Sequence, residues 1–188
     1  MVELISSASS IQSFVVRNEW PFCFIGGIAV IRWGEPRFTQ DVDLTVYTGF
    51  QNEERIIDAF LGSFEHRFED MRTFALERRV LLLQTPQGFP FDVSLGGLPF
   101  EERLMERSTQ FAYLPDASLR TCSAEDLVVM KAFAGRDIDW LDVKGVLIKQ
   151  QTGLDWALIM RELEPLAEWK EDPSILPKLH EIRDSVAA

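Results

Sequence analysis

At 188 residues the chain can bury a core of its own as one domain, with room for a small helical annex. A hydrophobic fraction of 46%, including 14 Phe, excludes a disordered chain. The net charge of −11, from 30 acidic and 19 basic residues, excludes a broad surface that tracks phosphates and leaves open a basic patch on one face. The two cysteines, Cys23 in an apolar run and Cys122 beside Ser123, form no metal motif; thiols in a reducing compartment are expected. Met1-Val2-Glu3-Leu4 has no cationic region followed by an apolar block, so no signal peptide is expected. The longest apolar run, Phe22 to Ile31, is too short to span a bilayer, and the expected setting is cytoplasmic.

In chain order, Leu4, Ile5, Ile11, Phe14 and Val15 predict a helix over 2–18, with a break near Ser6 to Ser10. Phe22 to Ile25 reads as a buried strand that Gly26-Gly27 ends. A short helix, 28–33, stops before Gly34 and Pro36, and the loop 35–40 leads to a second strand, 42–46. Helix 53–61 carries acids in its first turn. The stretch 64–73 reads as a short strand or irregular segment, and 75–84 contains a strand around Val80-Leu81-Leu82-Leu83. Pro86-Gln87-Gly88 turns it into strand 89–95 as an antiparallel hairpin. A short helix over 100–107 and two extended pieces at 111–114 and 119–121 follow.

Ser123-Ala124-Glu125-Asp126 opens a helix that runs to Ala134; Asp137 caps a second one to Gln150. Two closing helices, 154–169 and 173–186, complete the chain. The expected fold class is α/β (α+β): a mixed sheet flanked by helices over residues 1–121, then a helical region over 122–188.

Three features carry chemistry. Side chains two apart on a strand share a face, so Asp41 and Asp43 point outward together while Val42 and Leu44 face the core. Such a pair is either a solvated polar face or a magnesium site, since magnesium takes oxygen ligands and commonly uses one or two carboxylates plus substrate phosphates. Gly26-Gly27 is either a tight turn alone or a place where a triphosphate meets bare amides at a helix start. Asp92 is a lone charge in Phe91-Asp92-Val93. It either completes a two-metal site with Asp41 and Asp43, on the acceptor side, or pairs with Arg78 or Arg79.

Gly26-Gly27, Arg37-x-Thr39-x-Asp41-x-Asp43-Leu44 and Phe91-Asp92-Val93 resemble the signature of the nucleotidyltransferase superfamily that includes DNA polymerase beta. Within it the chain is similar to the small AbiEii-like, toxin-related nucleotidyltransferases. Glu125-Asp126-Leu127 and Lys131-x-x-Ala134-x-Arg136-x-x-Asp139-x-x-Asp142-Val143 match that subgroup, and the similarity covers roughly residues 20–150. Gly27 stands where many superfamily members have Ser, so a hydroxyl contact to the phosphates is missing.

The resemblance implies transfer of a nucleoside monophosphate from an NTP to an acceptor, with release of pyrophosphate and two Mg2+ ions at Asp41, Asp43 and Asp92. Gly26, Gly27, Arg37, Thr39 and Lys131 would bind nucleotide, with Arg136, Asp139 and Asp142 in support. The acceptor could be an RNA 3′ end such as tRNA, a protein or a small molecule, and an antitoxin partner is implied. Non-catalytic and antibiotic-modifying members are the alternatives.

Read from the residues alone, Lys131 is either a charge on the triphosphate or a Lys whose stem covers apolar surface. Arg37 is either a phosphate fork or a partner of Glu35. Asp139 and Asp142 are read as orienting Lys131 and Arg136. His66 and His180 are read as surface residues, and Trp156, Ile159, Leu163 and Leu166 as helix packing.

Overall fold

Seven strands in the first two thirds of the chain pair into one mixed sheet. A computed structural model describes residues 1–187. The chain divides into two units, one of Met1–Ile28 with Phe38–Cys122, the other of Ala29–Arg37 with the chain from Ser123 onward.

In the first unit the elements run α1 (Val2–Arg17), β1 (Phe22–Phe24), the start of α2 (Gly26–Trp33), β2 (Val42–Tyr47), α3 (Glu53–Leu61), β3 (Glu65–His66) and α4 (Met71–Arg78). Then come β4 (Val80–Gln84), β5 (Pro90–Gly96), α5 (Pro99–Arg107), β6 (Thr109–Leu114) and β7 (Ala117–Thr121). The strand order is β3-β4-β5-β2-β1-β7-β6. The β2–β5 and β1–β7 pairs are parallel and the others antiparallel, with β4 and β5 forming the expected hairpin.

Register fixes the faces. Val42 lies beside Phe91 and Leu44 beside Val93, and all four are fully buried. The core on that side is aromatic: Phe14 of α1, Phe60 of α3 and Phe64 meet in tilted and edge-to-face contacts, and Phe64 meets Phe91 edge to face at 4.9 Å.

Several elements differ from the sequence reading. Helix α1 is unbroken, because Ile5, Ala8 and Ile11 continue one buried stripe through the serines. Ser13 returns its hydroxyl to the Ser9 carbonyl at 2.8 Å, so a local polar group does not stop the helix. Helix α2 begins at Gly26, two residues earlier than expected.

Residues 64–73 contain the two-residue β3 and the first turn of α4, which continues to Arg78, and the strand within 75–84 runs from Val80 to Gln84. Met71 and Ala75, four apart, bury that helix, and Arg79 ends it in the left-handed region at φ 56°. The strain is offset by the Arg79 guanidinium, which reaches Glu53, Thr48, and the carbonyls of Gly49 and Leu95. The extended pieces near Pro115 form the β6–β7 hairpin with one register shift between Ala112 and Leu114.

The second unit holds the later part of α2 and the loop to Arg37, then α6 (Ala124–Ala134), α7 (Asp137–Gln150), a 3-10 turn (Gln151–Gly153), α8 (Trp156–Lys170) and α9 (Ile175–Ala187). Ser123 caps α6 by accepting from the Asp126 N–H at 3.0 Å, and Gly135 at φ 74° ends it. The cap of α7 is Arg136 instead of Asp137, since Asp139 in the first turn accepts the Arg136 N–H. Lys149 and Gln150 donate to the carbonyls of Arg32, Gly34 and Trp33, which end α2. Ile159 and Leu163 are fully buried, while Trp156 and Leu166 are half-buried. His66 and His180 are exposed. No described helix is long and apolar enough to cross a membrane.

Candidate active site

Alternation along β2 exposes Asp43 on the face opposite Val42 and Leu44. The same alternation along β5 exposes Asp92, opposite Phe91 and Val93. The two strands are parallel with Asp43 directly beside Asp92, so both carboxylates leave the same face at the same level. Asp41 precedes β2 by one residue, and its carboxylate accepts from the Thr39 hydroxyl at 3.1 Å.

The doubled glycine reaches the same place. Phe24 of β1 lies opposite Leu44, and the Ile25 N–H donates to the Asp43 carbonyl at 2.9 Å, so α2 starts beside Asp43. Gly26 has φ +53°, and a Cβ built on it would stand 2.0 Å from Asp43 Oδ2. A Cβ on Gly27 would stand 2.5 Å from Thr39 Oγ1. Both positions therefore need glycine: the first for its backbone and for the carboxylate over it, the second for the hydroxyl that holds Asp41. Thus Gly26, Gly27, Thr39, Asp41, Asp43 and Asp92 come together in the first unit.

One cation joins them. Arg67 donates from Nη2 to Asp92 Oδ1, and the pair stays partly in water, with side-chain exposures of 35% and 29%. The sequence alternative for Asp92, a pair with Arg78 or Arg79, does not hold, because Arg79 is engaged with Glu53 at 2.7 Å and with backbone carbonyls. Burial pushes the Asp92 carboxyl up; the Arg67 guanidinium opposes this and the nearby Asp41 carboxylate adds to it, for a net rise above the usual value.

The chemistry of the donor set fits magnesium in one particular way. Among the described residues no group of three or more His, Cys, Asp or Glu is gathered to hold a metal ion with protein ligands alone. Hard oxygens on Asp41, Asp43 and Asp92 suit an ion that keeps waters and draws the rest of its shell from substrate phosphates.

The remaining residues singled out in the sequence meet in the second unit. Lys131 is buried on α6, and its Nζ lies 2.9 Å from both Asp139 Oδ1 and Asp142 Oδ2 of α7. Arg37 grips Asp142 with two parallel hydrogen bonds, Nε to Oδ1 at 2.8 Å and Nη2 to Oδ2 at 2.9 Å. Arg136 closes on Asp139 at 2.6 Å. Burial alone would raise both carboxyls. For Asp139 the bonds from Arg136 and Lys131 outweigh it, and for Asp142 those from Arg37 and Lys131, so each is held below the ordinary carboxylate value.

A mixed sheet with paired acids beside a glycine-led helix start defines a nucleotidyltransferase fold. A solved structure of this kind is the antigenic nucleotidyltransferase-like protein from Paracoccidioides brasiliensis, with TM-score 0.53 and 15% identity over 95% of this chain and 92% of that one. Lower likeness is found to the lincomycin-bound lincosamide antibiotic adenylyltransferase LnuA, with TM-score 0.49 and 14% identity over 73% and 92%. A putative nucleotidyltransferase from H. pylori gives TM-score 0.44 and 13% identity over 96% and 92%. No curated protein sequence matches the chain.

Residues 17–144 match the model of the family described as nucleotidyl transferase AbiEii toxin, Type IV TA system. The match spans most of the chain, which belongs to this family and is a nucleotidyltransferase.

Proposed function

We propose that the chain moves a nucleoside monophosphate from a magnesium-bound NTP to an acceptor hydroxyl and releases pyrophosphate. The observation that carries this reading is the register of the two parallel strands, which sets Asp43 beside Asp92 where α2 begins. Asp41 and Asp43, with Asp92, would hold the magnesium. When bound, the ion would neutralise the triphosphate and the charge that builds on the leaving pyrophosphate.

The chain's own groups do the positioning. Gly26 and Gly27 present backbone amides without side chains in the way of phosphate oxygens. Thr39 fixes the direction of the Asp41 carboxylate. Asp92, on the acceptor side, would act as a ligand of the ion or as the base for an acceptor hydroxyl. In the second unit Lys131 and Arg37, held by Asp139 and Asp142, are read as nucleotide-binding cations, with Arg136 in support through Asp139.

We infer an RNA 3′ end, such as that of tRNA, as acceptor, a cytoplasmic setting, and control by an antitoxin, as the family description suggests. The test is incubation with each α-labelled NTP, magnesium, and either total RNA or protein lysate. Label should enter RNA with the wild-type chain and not with Asp41→Asn. Equal labelling by both would overturn the assignment of Asp41, and labelling of protein alone would overturn the acceptor.

A further inference from the structure

One transverse row of the sheet contains more than the three acids. The β3–β4 pairing sets His66 beside Leu83, and one residue further the Arg67 N–H donates to the Leu82 carbonyl at 3.1 Å. Leu82 lies opposite Asp92, and Asp92 lies beside Asp43. Arg67, Leu82, Asp92 and Asp43 therefore stand at one level, from the edge of the sheet inward. Neighbouring strands are about 4.8 Å apart, so Arg67 must cross two strand spacings, roughly 10 Å, to reach Asp92. A guanidinium can do this by laying its aliphatic stem over the half-buried Leu82.

The resulting contact has the marks of an exchangeable ligand. It uses a single Nη2 bond, in contrast to the two-bond grip of Arg37 on Asp142. Arg67 is exposed and follows a strand of only two residues at the sheet edge. Its partner is the acid that would face the acceptor, directly beside Asp43 and within electrostatic reach of Asp41.

We propose that Arg67 is a positioning residue that occupies Asp92 before substrate arrives and yields it to the divalent ion, so that this part of the site loads with metal only together with nucleotide. The inference rests on the magnesium-site reading above. Two cations compete for one carboxylate, and the triphosphate tips the balance by adding oxygens to the metal shell and a phosphate for Arg67 to follow. Without nucleotide the resting protein holds divalent ions weakly, because Asp92 is already paired with Arg67.

The experiment is a titration of the full-length, nucleotide-free chain with Mn2+, free ion being read by electron paramagnetic resonance. Arg67→Gln should tighten Mn2+ binding at least about fivefold over wild type, and Arg67→Lys should fall between them. Circular dichroism confirms that both variants are folded. In an Asp92→Asn background the change at residue 67 should have no further effect, which separates exchange at Asp92 from a general loss of positive charge. Unchanged or weaker Mn2+ binding by Arg67→Gln, with Asp43→Asn abolishing it, would overturn the proposal and leave the metal site standing. If Asp43→Asn binds Mn2+ as wild type does, the metal-site reading itself fails and this inference falls with it.

Discussion

Two clusters of charge stand in contrast in this protein. In the first unit Asp92 is paired with the Arg67 guanidinium beside Asp41 and Asp43, and the groups remain half-exposed. In the second, Lys131, Arg37 and Arg136 surround Asp139 and Asp142, the two acids being buried and bonded on several sides. The first cluster has an excess of acid, the second an excess of base. The second cluster is knit by several buried ion pairs, whereas the Arg67–Asp92 pair of the first lies partly in water. The opposite movements of their carboxyls express the same difference, since Asp92 is raised while Asp139 and Asp142 are lowered.

The largest test of this contrast is Asp139→Ala. It leaves Lys131 buried with one partner fewer, and breaking a buried pair from one side costs about 3–5 kcal/mol, to be read as a drop in chemical-denaturation stability. Asp43→Asn should do the reverse, cutting nucleotidyl transfer by about a hundredfold or more with the unfolding midpoint unchanged within error. Gly26→Ala comes next. A left-handed backbone costs a non-glycine residue about 1–2 kcal/mol, and the new Cβ must push the Asp43 carboxylate aside, so stability and activity should both fall in denaturation and labelling assays.

The smallest effect sharpens the comparison most. Asp139 and Asp142 have depressed values in the folded state, so their contribution is complete above the ordinary carboxylate range. It is lost as pH falls through the folded values, below the ordinary carboxylate range. Asp92 has a raised value, so its ionisation lowers stability as pH climbs from the ordinary value through the folded one. Asp92→Asn should therefore be at least as stable as wild type at pH 7 while losing transfer, and Asp142→Asn should be less stable. A pair of thermal melts at neutral pH decides between the two signs.

Much of this was readable from the sequence because it depends on short periods. The alternation of Val42-Asp43-Leu44 and Phe91-Asp92-Val93 locates two acids on exposed strand faces, and Gly26-Gly27 marks the turn beside them. The network around Lys131, on two successive helices, was legible through the motif that carries the family resemblance. Arg67 was not readable. Its approach to Asp92 depends on a two-residue strand whose pairing with β4 has no signature of its own, whereas Arg78 and Arg79 lie nearer in sequence to the hairpin. Helix α4 was missed for a similar reason, since only Met71 and Ala75 bury it and the stretch before it is polar.

The pairing of β2 with β5 also acts as an internal proofreader. Sliding β5 by one residue would carry Asp92 into the aromatic core and turn Phe91 and Val93 out to water, a loss on both faces at once. Greasy side chains that never meet a nucleotide thus vet the alignment of the acids, and a molecule whose strands have mispaired is eliminated by instability before it can act as a defective enzyme.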